Sequence, residues 1–87
     1  MIGYTCADCN RELICIMNDV MLVHFMNDDR EQGIDAIRYG DLYECPKCRT
    51  KTVMGLGQGQ TLGYEITKEN QKKIMESDRM IEVKRGD

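Results

Sequence analysis

The sequence is poor in the large apolar side chains from which small proteins build a core. It has no tryptophan, one phenylalanine and four tyrosines among its 87 residues, and 31% of the residues are charged. A chain of this length buries only about 60–65% of the surface that it exposes when unfolded. We therefore expect one domain with a marginal core, of the kind that disulfides or a structural metal commonly stabilise.

The sequence also lacks a long hydrophobic segment. Its longest apolar stretch, Val20 to Met26, contains a histidine and is too short to cross a bilayer. The N-terminus, Met1 to Cys6, has neither a basic segment nor an apolar one, so we expect no secretory signal and no membrane partner. Five cysteines, an odd number, then favour metal ligation in a reducing cytoplasm over a set of disulfides.

An excess of positive charge is absent as well. The chain has 12 Lys and Arg against 15 Asp and Glu, a net charge of -3. Four thiolates around one divalent metal ion would add a further charge of about -2. A general electrostatic attraction to nucleic acid is therefore not expected, although a local basic patch would still be compatible with it.

The most informative motif is a pair of Cys-x-x-Cys sequences separated by 35 residues. The four cysteines are Cys6, Cys9, Cys45 and Cys48. Two intervening residues allow a tight turn, called a knuckle here, to direct both sulfurs at one ion, and two knuckles complete a tetrahedral shell. The spacing predicts one structural Zn²⁺ per chain. With all four positions filled by protein, no site is left for water or substrate, so we expect no enzymatic activity.

One alternative to zinc at this site remains open. Cys45-Pro46-Lys47-Cys48 resembles the second knuckle of rubredoxins, and the same four sulfurs suit a single iron. Rubredoxin cores are rich in aromatic residues, however, and this chain has only 6%. The fifth cysteine, Cys15, lies in an apolar run, where we expect a small buried side chain instead of a ligand.

The predicted fold class is a small metal-stabilised α+β domain. Residues 1–66 are expected to form a zinc ribbon of short antiparallel strands, and residues 67–87 a C-terminal helix and tail of the same domain. The strand candidates are Leu13 to Met17, Val20 to Met26, Ile34 to Tyr39, Leu42 to Cys45 and Thr50 to Met54. A hairpin turn at Asn18-Asp19 and an interruption at Gly40-Asp41 are predicted between them.

The C-terminal helix is predicted from Thr67, as its N-cap, to about Ile81. Its apolar positions, Ile66, Ile74 and Ile81, are sparse, so we expect it to pack weakly on the ribbon. Contact with a partner protein or self-association through this helix would then cover its apolar side chains.

Basic side chains flank the knuckles at Arg11, Lys47, Arg49 and Lys51. They form a possible phosphate or nucleic-acid patch, although the favoured interpretation is that they offset the negative charge of the thiolates and stay solvated. The run from Gly55 to Gly59 lacks the Lys-Ser/Thr of a phosphate-binding loop, so a flexible turn is expected there.

The stretch from Gly40 to Cys48, followed by Gly55-Leu56-Gly57, resembles small uncharacterised zinc-ribbon proteins of bacteriophages and prophages. The resemblance covers residues 6–57, with Leu56 where those proteins have an aromatic residue. The two-knuckle layout is also similar to the zinc-binding N-terminal domains of some bacterial antitoxins. The resemblance implies a zinc-ribbon fold with the four cysteines as ligands, and an origin in a phage or prophage of a bacterial host.

Three functions are compatible with these observations. The first is a non-enzymatic accessory or regulatory protein that binds another protein, with zinc in a structural role. The second is a nucleic-acid-binding zinc ribbon, such as a transcription regulator or antitoxin-like protein. The third is a rubredoxin-like iron electron carrier. Net acidity favours the first function over the second, and the scarcity of aromatic residues disfavours the third.

Overall fold

The fold is a small α+β arrangement in which one helix accompanies a mostly antiparallel sheet. The computed structural model describes residues 3–55 and 59–85. Its strands are β1 (Ile14–Phe25), β2 (Ile34–Glu44), β3 (Lys51–Met54), β4 (Gln60–Leu62) and β5 (Met80–Val83), and its helix is α1 (Lys68–Glu76). Short 3-10 turns occupy Met26–Asp28, Arg30–Gln32 and Gly63–Glu65. No helix in these two ranges is long and apolar enough to cross a membrane.

The sheet is organised around the long antiparallel pair β1 and β2. β3 and β4 follow one another along the outer edge of β2, pairing with Asp41–Glu44 and Ala36–Arg38 respectively. β5 lies on the other side of β1 and runs parallel to it, with Met21 opposite Met80. The strand order among the described residues is therefore β3-β2-β1-β5, with β4 also on β2.

The predicted hairpin turn at Asn18-Asp19 is wrong. β1 is a single strand of 12 residues that includes Asn18 and Asp19, and its pairing with β2 shifts register between Met17 and Val20. Asp19 has a φ of 56°, and its N–H donates to Asp41 Oδ1 at 3.1 Å. Its tolerance of the left-handed region, which suggested a turn, is used instead for a β-bulge inside one strand.

The predicted interruption at Gly40-Asp41 is also wrong, because β2 runs through it for 11 residues. Gly40 is buried opposite Val20, and the Asp41 side chain accepts the hydrogen bond from the bulge. The strand predicted at Thr50 to Met54 is observed as β3, beginning one residue later. Of the predicted glycine-rich turn, Leu56-Gly57-Gln58 lie outside the described residues.

The helix is shorter than predicted. Thr67 is its N-cap, as expected, and its hydroxyl accepts a hydrogen bond from the N–H of Asn70 at 3.2 Å. The helix ends at Glu76, however, and Ser77 is extended. Residues predicted to continue the helix instead form β5, because the branched and apolar side chains from Met80 to Val83 find a place beside β1.

The core lies at the end of the sheet where β1 and β2 are joined by the 3-10 turns. Val23, Phe25, Ile34 and Ile37 are almost completely buried there. Six partly buried side chains pack against them: Met21, Tyr39, Ile66, Ile74, Met75 and Met80. The sparse apolar positions of the C-terminal segment are thus packed against the sheet.

An ion pair and a cation–π contact fix the loop above this core. Arg30 Nε lies 2.6 Å from Glu82 Oε1 of β5, and its guanidinium carbon lies 5.8 Å from the centroid of the Phe25 ring. Through these two contacts of Arg30, the second 3-10 turn is held against the end of β1 and against β5.

Candidate metal centre

The four cysteines predicted as ligands lie together at the other end of the β1–β2 pair. The Sγ atoms of Cys6, Cys9, Cys45 and Cys48 are all within 4.8 Å of one another, and those of Cys6 and Cys48 are 3.9 Å apart. A tetrahedral zinc site with bonds of about 2.3 Å places its sulfurs about 3.8 Å apart. The cluster therefore has the donor set and the dimensions to hold one metal ion.

The two knuckles have matching backbone geometry. In the first, the N–H of Cys6 donates to the carbonyl of Arg11 and the N–H of Asn10 donates to the carbonyl of Cys6, both at 2.8 Å. In the second, the N–H groups of Cys45 and Arg49 make the corresponding bonds at 2.9 Å. The backbone of each Cys-x-x-Cys turn is therefore fixed by the same pattern of hydrogen bonds.

A left-handed residue closes each knuckle. Asn10 has a φ of 55° and Arg49 a φ of 66°. Asparagine tolerates this region well, and arginine does so less readily. The residue directly after each Cys-x-x-Cys must therefore adopt a positive φ, a conformation that most residues disfavour.

Each knuckle is attached to the sheet by a neighbouring strand segment. Thr5 and Glu12 form an antiparallel bridge on the two sides of the first knuckle, and the second knuckle joins β2 to β3. The ring of Tyr4 meets that of Tyr43 edge-on, with centroids 5.2 Å apart. This aromatic contact connects the first knuckle to β2 independently of the sulfurs.

The exposure of the ligands differs across the cluster. Cys45 is completely buried, Cys6 and Cys9 are half-buried, and Cys48 is exposed. The cluster is therefore shielded from solvent at Cys45 and open to it at Cys48.

Thr50 is a contributor to the site that the sequence alone did not reveal. Its Oγ1 lies 3.2 Å from Cys48 Sγ. The side chain and the backbone N–H of Thr50 both stabilise the thiolate, and they lower the pKa of Cys48 to about 6. A Ser or Thr two residues after the last cysteine of a knuckle is the sequence signal that would have found it.

Cys9 shows the opposite behaviour. A hydrogen bond with Cys48, assisted by desolvation, raises the pKa of Cys9 to about 12. The pKa values of these two thiols are therefore shifted in opposite directions.

The fifth cysteine is not part of the cluster. Cys15 is exposed in β1, with its thiol 3.2 Å from the side-chain oxygen of Asn18. Our expectation of a buried side chain was wrong, because the core cluster packs against β1 only from Met21 onward. Ile14 and Ile16, on either side of Cys15, are exposed for the same reason.

The four basic residues predicted as a patch have different surroundings. Arg11 and Lys47 line one open groove with Pro46. Arg49 NH1 lies 3.7 Å from Glu44 Oε2, and Lys51 is opposite Glu44 in the pairing of β2 with β3. One acidic residue thus faces two of the four cations.

The geometry of the centre is that of a metal-binding domain with four thiolate donors from two strand-anchored knuckles. Comparison with known proteins finds no matching family model, curated protein or solved structure.

Proposed function

We propose that the chain is a non-enzymatic zinc ribbon that acts as an accessory or regulatory protein in the cytoplasm of a bacterial host, by binding another protein. The carrying observation is the approach of four cysteine sulfurs to within 4.8 Å of one another. Paired Cys-x-x-Cys knuckles are the usual ligands of structural zinc. The resemblance to phage and prophage zinc ribbons supports the bacterial setting.

A structural role for the metal is supported by the donor set. Four protein thiolates complete a tetrahedral shell, whereas a catalytic zinc keeps one position for water or substrate. The metal would then hold the two knuckles together, and the protein's own surfaces would make the functional contacts.

The metal is tested by elemental analysis of protein expressed without added metal. We expect about one equivalent of zinc per chain and no visible absorbance. Double substitution of Cys6 and Cys45 with serine should abolish binding, and Cys15→Ser serves as the matched control because its thiol is outside the cluster. A red protein with one iron per chain would instead support the electron-carrier function.

We also propose helix α1 as a contact surface, for a partner protein or for another copy of the chain. A groove of about 600 Å³ lies beside it, with Met75, Gln71 and Lys72 on the helix side and Glu31 and Gly33 on the loop side. Light scattering across a range of protein concentrations tests self-association. We expect the charge-reversing Lys72→Glu to weaken it, with Lys84→Glu as the control away from this groove.

A further inference from the structure

The two knuckles form the walls of an open groove at the metal end of the molecule. It has a volume of about 330 Å³ and is lined by Arg11, Pro46 and Lys47, all of them exposed. Arg11 follows the first knuckle, and Pro46 and Lys47 are the two residues between the cysteines of the second. Each knuckle thus contributes one cation to a shared surface.

These two cations are available for an external partner. Within residues 3–55 and 59–85, neither Arg11 nor Lys47 makes an ion pair. By contrast, Arg49 pairs with Glu44 at 3.7 Å. The groove therefore carries two positive charges without a neutralising carboxylate in the described part of the chain.

We propose that this groove binds a short acidic segment of the partner protein. This inference rests on the proposed protein-binding function and names the chemistry of the partner. Arg11 offers a planar fork of N–H donors that matches a carboxylate, and Lys47 offers a point charge for a second one. Pro46 lines the same groove and gives the aliphatic part of an acidic side chain an apolar surface.

Charge complementarity favours an acidic peptide over a nucleic-acid duplex. A protein that binds duplex DNA electrostatically commonly contacts about 6–10 phosphates, whereas this groove has two free cations. A pair of carboxylates needs only the local charge of the groove.

Peptide binding in this groove is coupled to the metal. Arg11 and Lys47 belong to different knuckles, and the cysteine cluster joins those knuckles beside the Tyr4–Tyr43 contact. Loss of the metal removes the link through the sulfurs and leaves the Tyr4–Tyr43 contact between the two walls, so the positions of the two cations become less fixed. Because such coupling is reciprocal, a bound acidic peptide also raises the affinity of the protein for its metal.

The experiment uses the full-length zinc-loaded chain and fluorescein-labelled hexaglutamate, with hexaglutamine as the neutral peptide and decathymidylate as the nucleic-acid probe. Fluorescence anisotropy is measured at physiological salt for the natural sequence and for Arg11→Gln, Lys47→Gln and Lys73→Gln. Lys73 is the control, since it is an exposed lysine of α1 outside this groove. Zinc content and far-ultraviolet circular dichroism establish that each variant is folded.

We expect hexaglutamate to bind and hexaglutamine not to bind. Arg11→Gln and Lys47→Gln should each weaken hexaglutamate binding about tenfold, Lys73→Gln should not, and chelation should abolish it. Equal binding of both peptides, or no effect of the two groove substitutions, overturns the inference. Tighter, Arg11-dependent binding of decathymidylate overturns it in favour of nucleic acid. If the zinc-loaded chain binds another protein but does not bind hexaglutamate, the proposed function stands and the inference about this groove is wrong.

Discussion

The four cysteine ligands differ in how closely the polypeptide surrounds them. Cys45 is completely buried at the end of β2, and its backbone N–H is bonded to the carbonyl of Thr50. Cys15, outside the cluster, is exposed, and its thiol donates to the side-chain oxygen of Asn18. A comparison of serine substitutions at these two positions therefore separates metal ligation from the general effect of losing a thiol.

We predict that Cys45→Ser releases the metal and removes most of the metal-dependent stability, which is on the order of 10 kcal/mol for structural zinc. Cys15→Ser should retain the metal and change the free energy of unfolding by less than about 1 kcal/mol, because its thiol is exposed. Zinc content and urea unfolding measure both. Metal loss in Cys15→Ser with retention in Cys45→Ser would contradict the ligand assignment.

Arg49 is a conformational weak point of the second knuckle. Its φ of 66° suits glycine better than arginine, and its exposed ion pair with Glu44 is long at 3.7 Å. Exposed pairs of this kind contribute little to stability. The free-energy cost of the left-handed backbone at Arg49 should therefore exceed the stabilisation that its ion pair with Glu44 contributes.

We predict that Arg49→Gly is more stable than Arg49→Ala by about 1 kcal/mol. Both variants lack the ion pair, and only alanine keeps a Cβ in the left-handed region, so their difference isolates the backbone term. Thermal unfolding of the zinc-loaded variants gives the comparison. Equal melting temperatures would show that the knuckle is not strained at this residue.

At the scale of elements, Gly63 permits the close approach of the third 3-10 turn to β2. A Cβ at Gly63 would overlap the carbonyl oxygen of Ile34. Gly59 provides a contrast, since it has a φ of +87° but a Cβ at this position would meet no atom within 4 Å in the described part of the chain. One glycine is thus required by packing and the other by conformation alone.

We predict that Gly63→Ala destabilises the fold by about 2–3 kcal/mol, because two backbone segments must separate. Gly59→Ala should cost about 1 kcal/mol, the strain of a positive φ without a clash. Urea midpoints of the two variants provide the test. A Gly59 effect equal to or larger than that of Gly63 would contradict the close approach.

The helix α1 is attached to the sheet through few side chains. Ile74 and Met75 pack against the core cluster, whereas Lys73 is exposed and forms only a 3.9 Å pair with Glu69. We predict a loss of about 1–2 kcal/mol for Ile74→Ala and less than about 0.5 kcal/mol for Lys73→Ala, measured by urea unfolding. Equal effects would mean that the helix is not docked.

The clustering of the four cysteines could be predicted from the sequence, because the spacing of paired Cys-x-x-Cys motifs is a local property with few chemical interpretations. The strand boundaries could not, since the same residue types serve turns and bulges. Asp19 takes a left-handed conformation as expected of its type, yet only its pairing with Asp41 on β2 shows that β1 continues. The strand β5 also escaped prediction, because four residues become a strand only through their distant partner β1.

The whole molecule is elongated, with extents of 42 × 29 × 21 Å, and its two centres of stability are at opposite ends of the β1–β2 pair. The cysteine cluster adjoins the start of β1 and the end of β2, and the apolar core adjoins Phe25 and Ile34. The ends are joined by the ladder of hydrogen bonds between the two strands. Metal removal should therefore act unevenly along the molecule.

We predict that chelation increases amide hydrogen exchange first at the knuckle hydrogen bonds, represented by the N–H groups of Asn10 and Arg49. The amides of Val23 and Ile37, which are buried in the core, should retain protection longest. Exchange measured by NMR before and after addition of a chelator gives the order. Simultaneous loss of protection at both ends would indicate a single cooperative unit.

The parallel pairing of β5 with β1 has a consequence for the order of events during synthesis. Met80 pairs with Met21, so the sheet acquires this strand only after residues 80–83 have been translated. All four cysteines of the cluster, the last of which is Cys48, leave the ribosome earlier. Metal binding can thus precede completion of the sheet. The knuckles of the nascent chain can then be joined by the metal before β5 pairs with the edge of β1.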